Sequence, residues 1–352
     1  MMYERNEKNR ATWKRTLLIV ICVILALLLL SMLAVVFYIE GKLNRINRVQ
    51  PGSESTLAPS EWVDETDYIE PDDTTPAIDP SEVTWPSEPE PTIGAEEHII
   101  NILLVGQDRR PGQGRQRSDV MLLCTFDKSS NTLTMTSFLR DLYVQIPGYL
   151  DNRLNVSYPR GGFALLDETL QINFGVHVDA NVEVDFGGFT QIINLLGGVD
   201  IELSAAEANH LNLTKEWDPE GLTTPVLSKG LNHLNGAQAL SYARIRYLDS
   251  DFGRTNRQRK VMTALIEKLR GKNLLELNNL LDQILPLITT DMSNSEITKY
   301  VLELFPMLSG CTINTQYIPA QGTYQGVYIR GMAVLLPDIE ANRKILSETI
   351  GQ

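Results

Sequence analysis

The sequence predicts an α/β fold: a three-layer αβα sandwich with a mixed central sheet, preceded by one transmembrane helix and a disordered linker. Three observations carry this expectation. Residues 17–39 are an apolar run of 23 residues without a charge. Residues 50–97 contain 14 acidic residues, eight prolines and neither Lys nor Arg. From residue 98 onward, apolar or alternating runs of strand length are interspersed with segments at helical spacing, which favours one sheet with helices on both faces.

The charge is regional. Of the formal net charge of −13, residues 1–49 carry +5, residues 50–97 carry −14 and residues 98–352 carry −4. The folded part is therefore close to balance. No basic stripe with interleaved aromatics is present, which excludes nucleic acid as a partner. No CxxC or HxxxH spacing points to zinc. Cys124 lies in an apolar run and reads as a small buried hydrophobe; no spacing supports a Cys124–Cys311 disulfide.

Taken in order, residues 1–16 are short and basic. As a helix, 17–39 would span about 34 Å, enough to cross a bilayer with some tilt. A core helix is rarely apolar all round, and a signal-peptide apolar region is shorter. Arg5, Lys8, Arg10, Lys14 and Arg15 precede the span, while Lys42, Arg45 and Arg48 follow it. That bias predicts a cytoplasmic 1–16 and an extracellular domain at 98–352 in a single-pass cell-membrane protein. The acidic, Pro-rich linker at 40–97 buries too little apolar surface to fold and would reach on the order of 40 Å as a coil.

Residues 99–105 (IINILLV) read as a central strand buried on both faces. A polar, Gly-rich loop spans 106–114. Strands follow at 120–126 and 132–138, with a turn between them. Helices are expected at 161–173 and 186–196, the latter stopped by Gly197 and Gly198. Strands are expected at 176–184 and 199–203. Residues 204–230 read as irregular, a mobile flap. A short helix at 235–241 leads into the arginines, and 261–288 reads as one or two helices broken near Gly271 or Pro286. A helix at 294–308, a hairpin of 312–319 with 323–329, and a closing helix at 337–350 complete the domain.

The chemistry concentrates in YARIRYLDSDFGRTNRQR at 242–259, which holds Arg244, Arg246, Arg254, Arg257 and Arg259 and no lysine. The planar fork of arginine matches phosphate bidentately. On an extended segment Arg244 and Arg246 share one face with Tyr242. A helical pattern then begins after Gly253, with Val261, Met262, Leu265, Ile266 and Leu269 as its apolar stripe. Arg254 and Gln258 lie on that stripe at its N-terminal end, a favourable place for an anion. If the first three strands form an antiparallel meander, Asp108, Asp119 and Arg140 emerge at one sheet edge. Together with the arginines, the Asp pair suits a magnesium–diphosphate site. Asp251-Phe252-Gly253 echoes a kinase motif without its companion loops, and neither a Walker A pattern nor a GxSxG elbow is present.

Six segments in order resemble the LytR-CpsA-Psr (LCP) family: NILLVGQDRR at 101–110, RSDVMLL at 117–123, SFLRDLYVQIPG at 137–148, RLNVSYPRGG at 153–162, FGGFTQIINLLGGVDIEL at 186–203 and LNGAQALSYARIRYLDSDFGRTNRQR at 234–259. Leu139 stands where the family usually has Pro. The resemblance implies a cell-wall phosphotransferase. It would move a glycopolymer, such as teichoic acid or capsular polysaccharide, from undecaprenyl diphosphate to peptidoglycan, at the C6 hydroxyl of N-acetylmuramic acid. It also implies an apolar tunnel for the prenyl chain. Asp108 and Asp119 match the ligands of Mg²⁺ (or Mn²⁺). Arg140, Arg244, Arg246, Arg254 and Gln258 match the diphosphate-holding residues, and Arg117 is placed with them. Asp119, Arg140, Arg244 and Arg246 are the expected catalytic set, and the general base is Asp119 or a neighbouring carboxylate. Two rivals remain: a membrane-tethered, non-catalytic polyprenyl-phosphate-binding regulator, and a polyprenyl diphosphate hydrolase.

Overall fold

The structure, a computed structural model, describes residues 37–49, 74–86, 92–109, 114–215, 226–246, 248–272 and 274–351. The N-terminal segment 1–16 and all but the last three residues of the 17–39 span lie outside the described residues. Among the described residues no helix is long and apolar enough to cross a membrane. The chain divides into two compact units, Met1–Arg45 and Ile46–Gln352. The described part of the first is helical at 37–43.

The strands of the second unit are β1 (Asn47–Arg48), β2 (Ile99–Gln107), β3 (Ser118–Asp127), β4 (Thr132–Phe138), β5 (Tyr143–Val144), β6 (Asn152–Arg153), β7 (Ala180–Asp185), β8 (Val199–Leu203), β9 (Gly230–Leu234), β10 (Ile288–Thr290), β11 (Thr312–Ile318), β12 (Tyr324–Ile329) and β13 (Met332–Pro337). Its helices are α1 (Ser157–Phe174), α2 (Phe186–Leu195), α3 (Ala205–Thr214), α4 (Gly236–Ala243), α5 (Asp251–Arg270), α6 (Leu274–Ile284), α7 (Asn294–Leu308) and α8 (Ile339–Ile350). Seven strands form the main sheet, in the order β1-β10-β7-β2-β3-β4-β11. It is mixed: β2-β3-β4 is the expected antiparallel meander, while β2 runs parallel to β7 and β4 parallel to β11.

Successive strand residues point to opposite faces, so the meander divides its apolar side chains between two layers. Leu103, Val105, Met121 and Leu123 pack with Leu166, Leu170 and Phe174 of α1. Leu104, Val120 and Leu122 pack with Met262 and Ile266 of α5 on the other face. A fully apolar β2 is thus explained by burial on both sides. As expected, α2 ends ahead of Gly197 and Gly198, which take left-handed φ values of +83° and +86°, and α5 stops at Gly271.

Several expectations are corrected. The 204–230 segment is not irregular throughout: it contains α3, opened by a capping box between Ser204 and Glu207. The 312–319 and 323–329 runs do not pair with each other. Instead β11 adds to the edge of the main sheet in parallel with β4, and β12 pairs with β13. Helix α5 begins at Asp251, three residues early.

The folded unit also starts before residue 98. Asn47 and Arg48 pair with Thr289 and Thr290, Ile93 bridges to Val176 and joins the core, and Trp85 donates to Asp151 at 2.8 Å. These contacts rest on scattered apolar residues that the average composition of the 40–97 segment conceals. The rest of that segment, 50–73 and 87–91, lies outside the described residues.

Leu123 is fully buried at the centre of the sheet, on the face away from α5. Leu123→Ala should cost about 2–5 kcal/mol through lost transfer energy and a residual cavity. Chemical denaturation of the purified variant would show this as a lowered midpoint.

Candidate functional site: a guanidinium cluster at an apolar cavity

Three features of the meander place the acidic residues. The strand register sets Leu122 opposite Ser137, so continuing it brings Asp119 opposite Arg140. Their side chains meet, with Arg140 Nη1 donating to Asp119 Oδ1 at 2.9 Å. Between β2 and β3 the register slips: Gly106 pairs with Val120, but Gln107 pairs with Ser118. Asp119 is therefore the extra residue of a β-bulge, a device that re-aims a side chain at a sheet edge. The loop after β2, which begins with Asp108, is held by side chains. Gln107 Oε1 accepts from the Gln116 backbone at 2.8 Å, and Arg109 Nη2 pairs with buried Glu183 at 3.0 Å. Tyr158 donates to the other oxygen of Glu183.

The arginines arrive from α4 and α5. Arg244 is the C-cap of α4. Its Nη2 lies 3.7 Å from Asp108 Oδ2, and its guanidinium stacks 4.8 Å from the centre of the Phe186 ring. Two residues on, Arg246 Nη2 reaches Asp119 Oδ1 at 3.5 Å. Ile245 between them is buried, so the pair does share one exposed face. Tyr242 does not share it: it sits inside α4, fully buried in the core between α4 and α5. The 244–249 segment is tied to α5 by Arg257, which bonds the Ile245 carbonyl at 3.2 Å and Asp249 at 2.9 and 2.6 Å. Glu207, from α3, accepts from Arg257 Nε at 2.8 Å.

Arg254 is the most constrained member, only 2% exposed. Asp251 Oδ1 lies 2.7 Å from its Nη2, but the approach is not aligned for a hydrogen bond, and all three guanidinium nitrogens lack an acceptor. Burial lowers the pKa of Arg254 against the pull of Asp251. It also raises the Asp251 carboxyl above the usual carboxylate range, against Arg254. At Arg140 burial opposes the charge, but Asp141, Asp251 and Asp119 outweigh it and raise the pKa.

These groups border an apolar cavity of about 270 Å³ between the sheet, α2, α4 and α5. Asp119, Arg244, Arg246, Arg254 and Gln258 line its polar part, and Leu104, Leu122, Val182, Phe189, Ile192 and Ile266 are among its apolar lining. The stripe expected on α5 faces this space at Met262, Leu265, Ile266 and Leu269.

Of the expected site residues, Asp119, Arg140, Arg244, Arg246, Arg254 and Gln258 are brought together, and Asp108 joins through Arg244. Arg117 does not line the cavity. It is half-buried, and burial lowers its pKa, with Arg153 and Arg140 pushing the same way. Sequence reasoning missed Glu183, Arg153 and Asp141. Glu183 had one available signal: an acid set between two valines in a run of strand length. Among the described residues no group of three or more His, Cys, Asp or Glu is placed to hold a metal. Asp108 and Asp119 are two carboxylates, and Mg²⁺ is commonly held by one or two carboxylates plus substrate phosphates, so the donor set fits that ion. Both cysteines in the described residues are free thiols.

This arrangement defines a class: an α/β domain that presents a guanidinium cluster beside an apolar cavity, suited to an amphiphile with an anionic head. The chain belongs to the LytR_cpsA_psr family, whose model matches residues 60–349. Among curated relatives, it is 30% identical to the regulatory protein MsrR of Staphylococcus aureus (strain COL), over 65% of this chain and 67% of that one. It is likewise 30% identical to the polyisoprenyl-teichoic acid--peptidoglycan teichoic acid transferase TagV of Bacillus subtilis (strain 168), over 64% of this chain and 58% of that one. Among solved structures, TagT bound to LIIa-WTA matches with a TM-score of 0.59 at 27% identity, over 73% of this chain and 92% of that one. The LytR-CPS2A-psr family protein YwtF (TagT) with bound octaprenyl pyrophosphate lipid matches with 0.55 at 26%, over the same shares.

Arg257→Met should leave Glu207 and Asp249 without their shared cation and release the segment that carries Arg244 and Arg246. Removing one partner of a buried ion pair costs about 3–5 kcal/mol. Limited proteolysis should show faster cleavage at 244–250 together with a lowered melting temperature.

Proposed function

We propose that this protein is a phosphotransferase that moves a glycopolymer from undecaprenyl diphosphate onto peptidoglycan, at the C6 hydroxyl of N-acetylmuramic acid. The observation that carries this reading is the buried, acceptor-less guanidinium of Arg254 grouped with Arg140, Arg244 and Arg246 at the edge of an apolar cavity. A diphosphate supplies the missing acceptor oxygens, and the first isoprene units of its lipid match the apolar lining. The names of the TagV relative and of the lipid-bound TagT structures support the same substrate and reaction class.

In the reaction, the acceptor hydroxyl oxygen forms a bond to the phosphorus that carries the glycopolymer. The bond from that phosphorus to the bridging oxygen breaks, and undecaprenyl phosphate leaves. The products are a sugar phosphodiester and the lipid monophosphate. The hydroxyl proton passes to a carboxylate at the rim, where Asp119 and Asp251 both stand. Asp108 and Asp119 would hold Mg²⁺ or Mn²⁺, which neutralises phosphate charge when bound. Arg140 and Arg254 orient the diphosphate through charge-assisted hydrogen bonds. Arg244 and Arg246, more exposed, stabilise the charge that develops on the transferring phosphoryl group. The 17–39 run would anchor the domain outside the cell membrane, on the linker at 40–97.

Arg246 is about half exposed, so Arg246→Ala should leave the fold and melting temperature unchanged. Loss of such an arginine should lower the transfer rate by roughly 10²–10⁴-fold. The assay is transfer of labelled glycopolymer from lipid diphosphate to peptidoglycan fragments, with and without chelator. Near-normal turnover in the variant, or full turnover in chelator, would refute the assignment. Release of free glycopolymer phosphate without a conjugate would identify a hydrolase instead, and binding without turnover a regulator.

Filling the cavity provides an independent check. Ile266→Trp should raise the KM for a long-chain prenyl donor at least tenfold while sparing a short-chain analogue. Equal effects on the two donors would disconnect the cavity from the lipid.

A further inference from the structure

Helix α5 separates two spaces. Arg254, Gln258 and Met262 face the apolar cavity. Asn256, Arg259, Lys260, Thr263 and Glu267 face a larger groove of about 940 Å³, bounded also by β8 and by Thr315 of β11. The groove's lining is mixed in character and holds four acidic and four basic residues.

One side chain in this groove is unlike the others. Arg259 is 4% exposed, and its Nε and Nη1 have no hydrogen-bond acceptor. The Tyr317 ring lies 5.5 Å away and covers one face of the guanidinium, but a ring face does not replace acceptors for in-plane N–H groups. Among the described residues no carboxylate stands within ion-pair distance of it. Glu207, which also lines the groove, is committed to Arg257. Two arginines two residues apart on one helix thus differ: Arg257 is saturated by Glu207, Asp249 and the Ile245 carbonyl, while Arg259 is left open. Burial pulls the Arg259 pKa down to about 10, so it remains a cation at neutral pH.

The groove and the phosphate site lie on two sides of the N-terminal half of α5. Arg254 and Arg259 are five residues apart, about 7.5 Å along the helix axis and roughly 140° around it. Phe252 lies beside Asp251 in sequence and packs on Tyr317 and Tyr324, with ring centres 5.2 Å apart in each pair. Those rings run from the rim to Arg259.

We infer that this groove holds the charged peptide portion of the glycan acceptor, with Arg259 taking a carboxylate while the sugar reaches across the N-terminal end of α5 to the phosphate site. The inference rests on the proposed transfer to peptidoglycan and adds where the acceptor sits. A lining with as many acidic as basic groups suits a ligand bearing both carboxylates and ammonium groups, and disfavours a polyanion such as a phosphodiester chain.

The test is direct binding to the full-length chain in detergent, independent of turnover. The probe is a disaccharide–peptide fragment of peptidoglycan, compared with the same fragment after amidation of its carboxylates. Arg259→Met should weaken binding of the native fragment at least tenfold, leave lipid-diphosphate binding unchanged and leave the melting temperature equal or higher, because an unpaired buried charge is removed. The amidated fragment should bind the wild type as weakly as the native fragment binds the variant. If Arg259→Met does not fold, the exposed pair Lys229→Glu with Lys260→Glu should weaken native-fragment binding at least threefold. Unchanged fragment affinity in the folded variant, equal binding of the amidated fragment, or displacement of the fragment by a glycerol phosphate oligomer would overturn the inference. Loss of donor turnover with fragment binding intact would count against the proposed reaction and leave this assignment standing.

Discussion

The organising constraint of this domain is positive charge held out of water without enough negative charge to answer it. A buried guanidinium lacking acceptors is costly, and proteins ordinarily pair it or replace it. Here Arg254 has one carboxylate beside it, poorly aligned, and three nitrogens without acceptors. Arg140 Nε nearby makes no hydrogen bond either, although Asp141 and Asp251 stand 3.5 and 3.8 Å from it. Such a deficit makes sense where an anion completes the coordination, and the apolar cavity beside it selects an anion with a hydrocarbon tail.

The rest of the fold holds that deficit in place. An antiparallel meander returns the chain to the same edge twice, so Asp119 and Arg140 meet from positions 21 residues apart. A bulge at Asp119 turns its carboxylate toward the guanidinium cluster. Helix α5 presents one face to the cavity and another to the outer groove, and each face carries a buried arginine with unsatisfied donors. Between them Arg257 is fully paired and secures the segment that bears Arg244 and Arg246. One residue type therefore does structural work at one position and leaves donors free for ligand at the next.

Parts of this were legible without coordinates because they depend on local chemistry. The three strands of the meander were legible as two apolar runs and one alternating run of strand length, and the α5 stripe from its 3.6-residue spacing. The residue types of the anion site were visible because Arg244, Arg246, Arg254 and Gln258 fall within one short stretch that has five arginines and no lysine. Other parts were not legible. Helix α3 has almost no apolar periodicity and is secured by its capping box and by the Glu207–Arg257 pair. The destination of β11 depends on an edge left open by β4, a property of the sheet and not of the 312–318 segment. Ile93 and Trp85 dock individually, and a window average over an acidic, Pro-rich stretch cannot register single anchors.

By itself, then, the sequence determined which segments could be strands or helices, where the acidic linker composition lies, and which side chains carry phosphate chemistry. These follow from periodicity and functional groups, which are properties of short stretches of chain. Only the tertiary structure decided which arginines are satisfied and which are not. Arg254, Arg257 and Arg259 look alike as letters, and they differ because burial and the reach of Asp249 and of Glu207 from α3 are set only when the chain is folded.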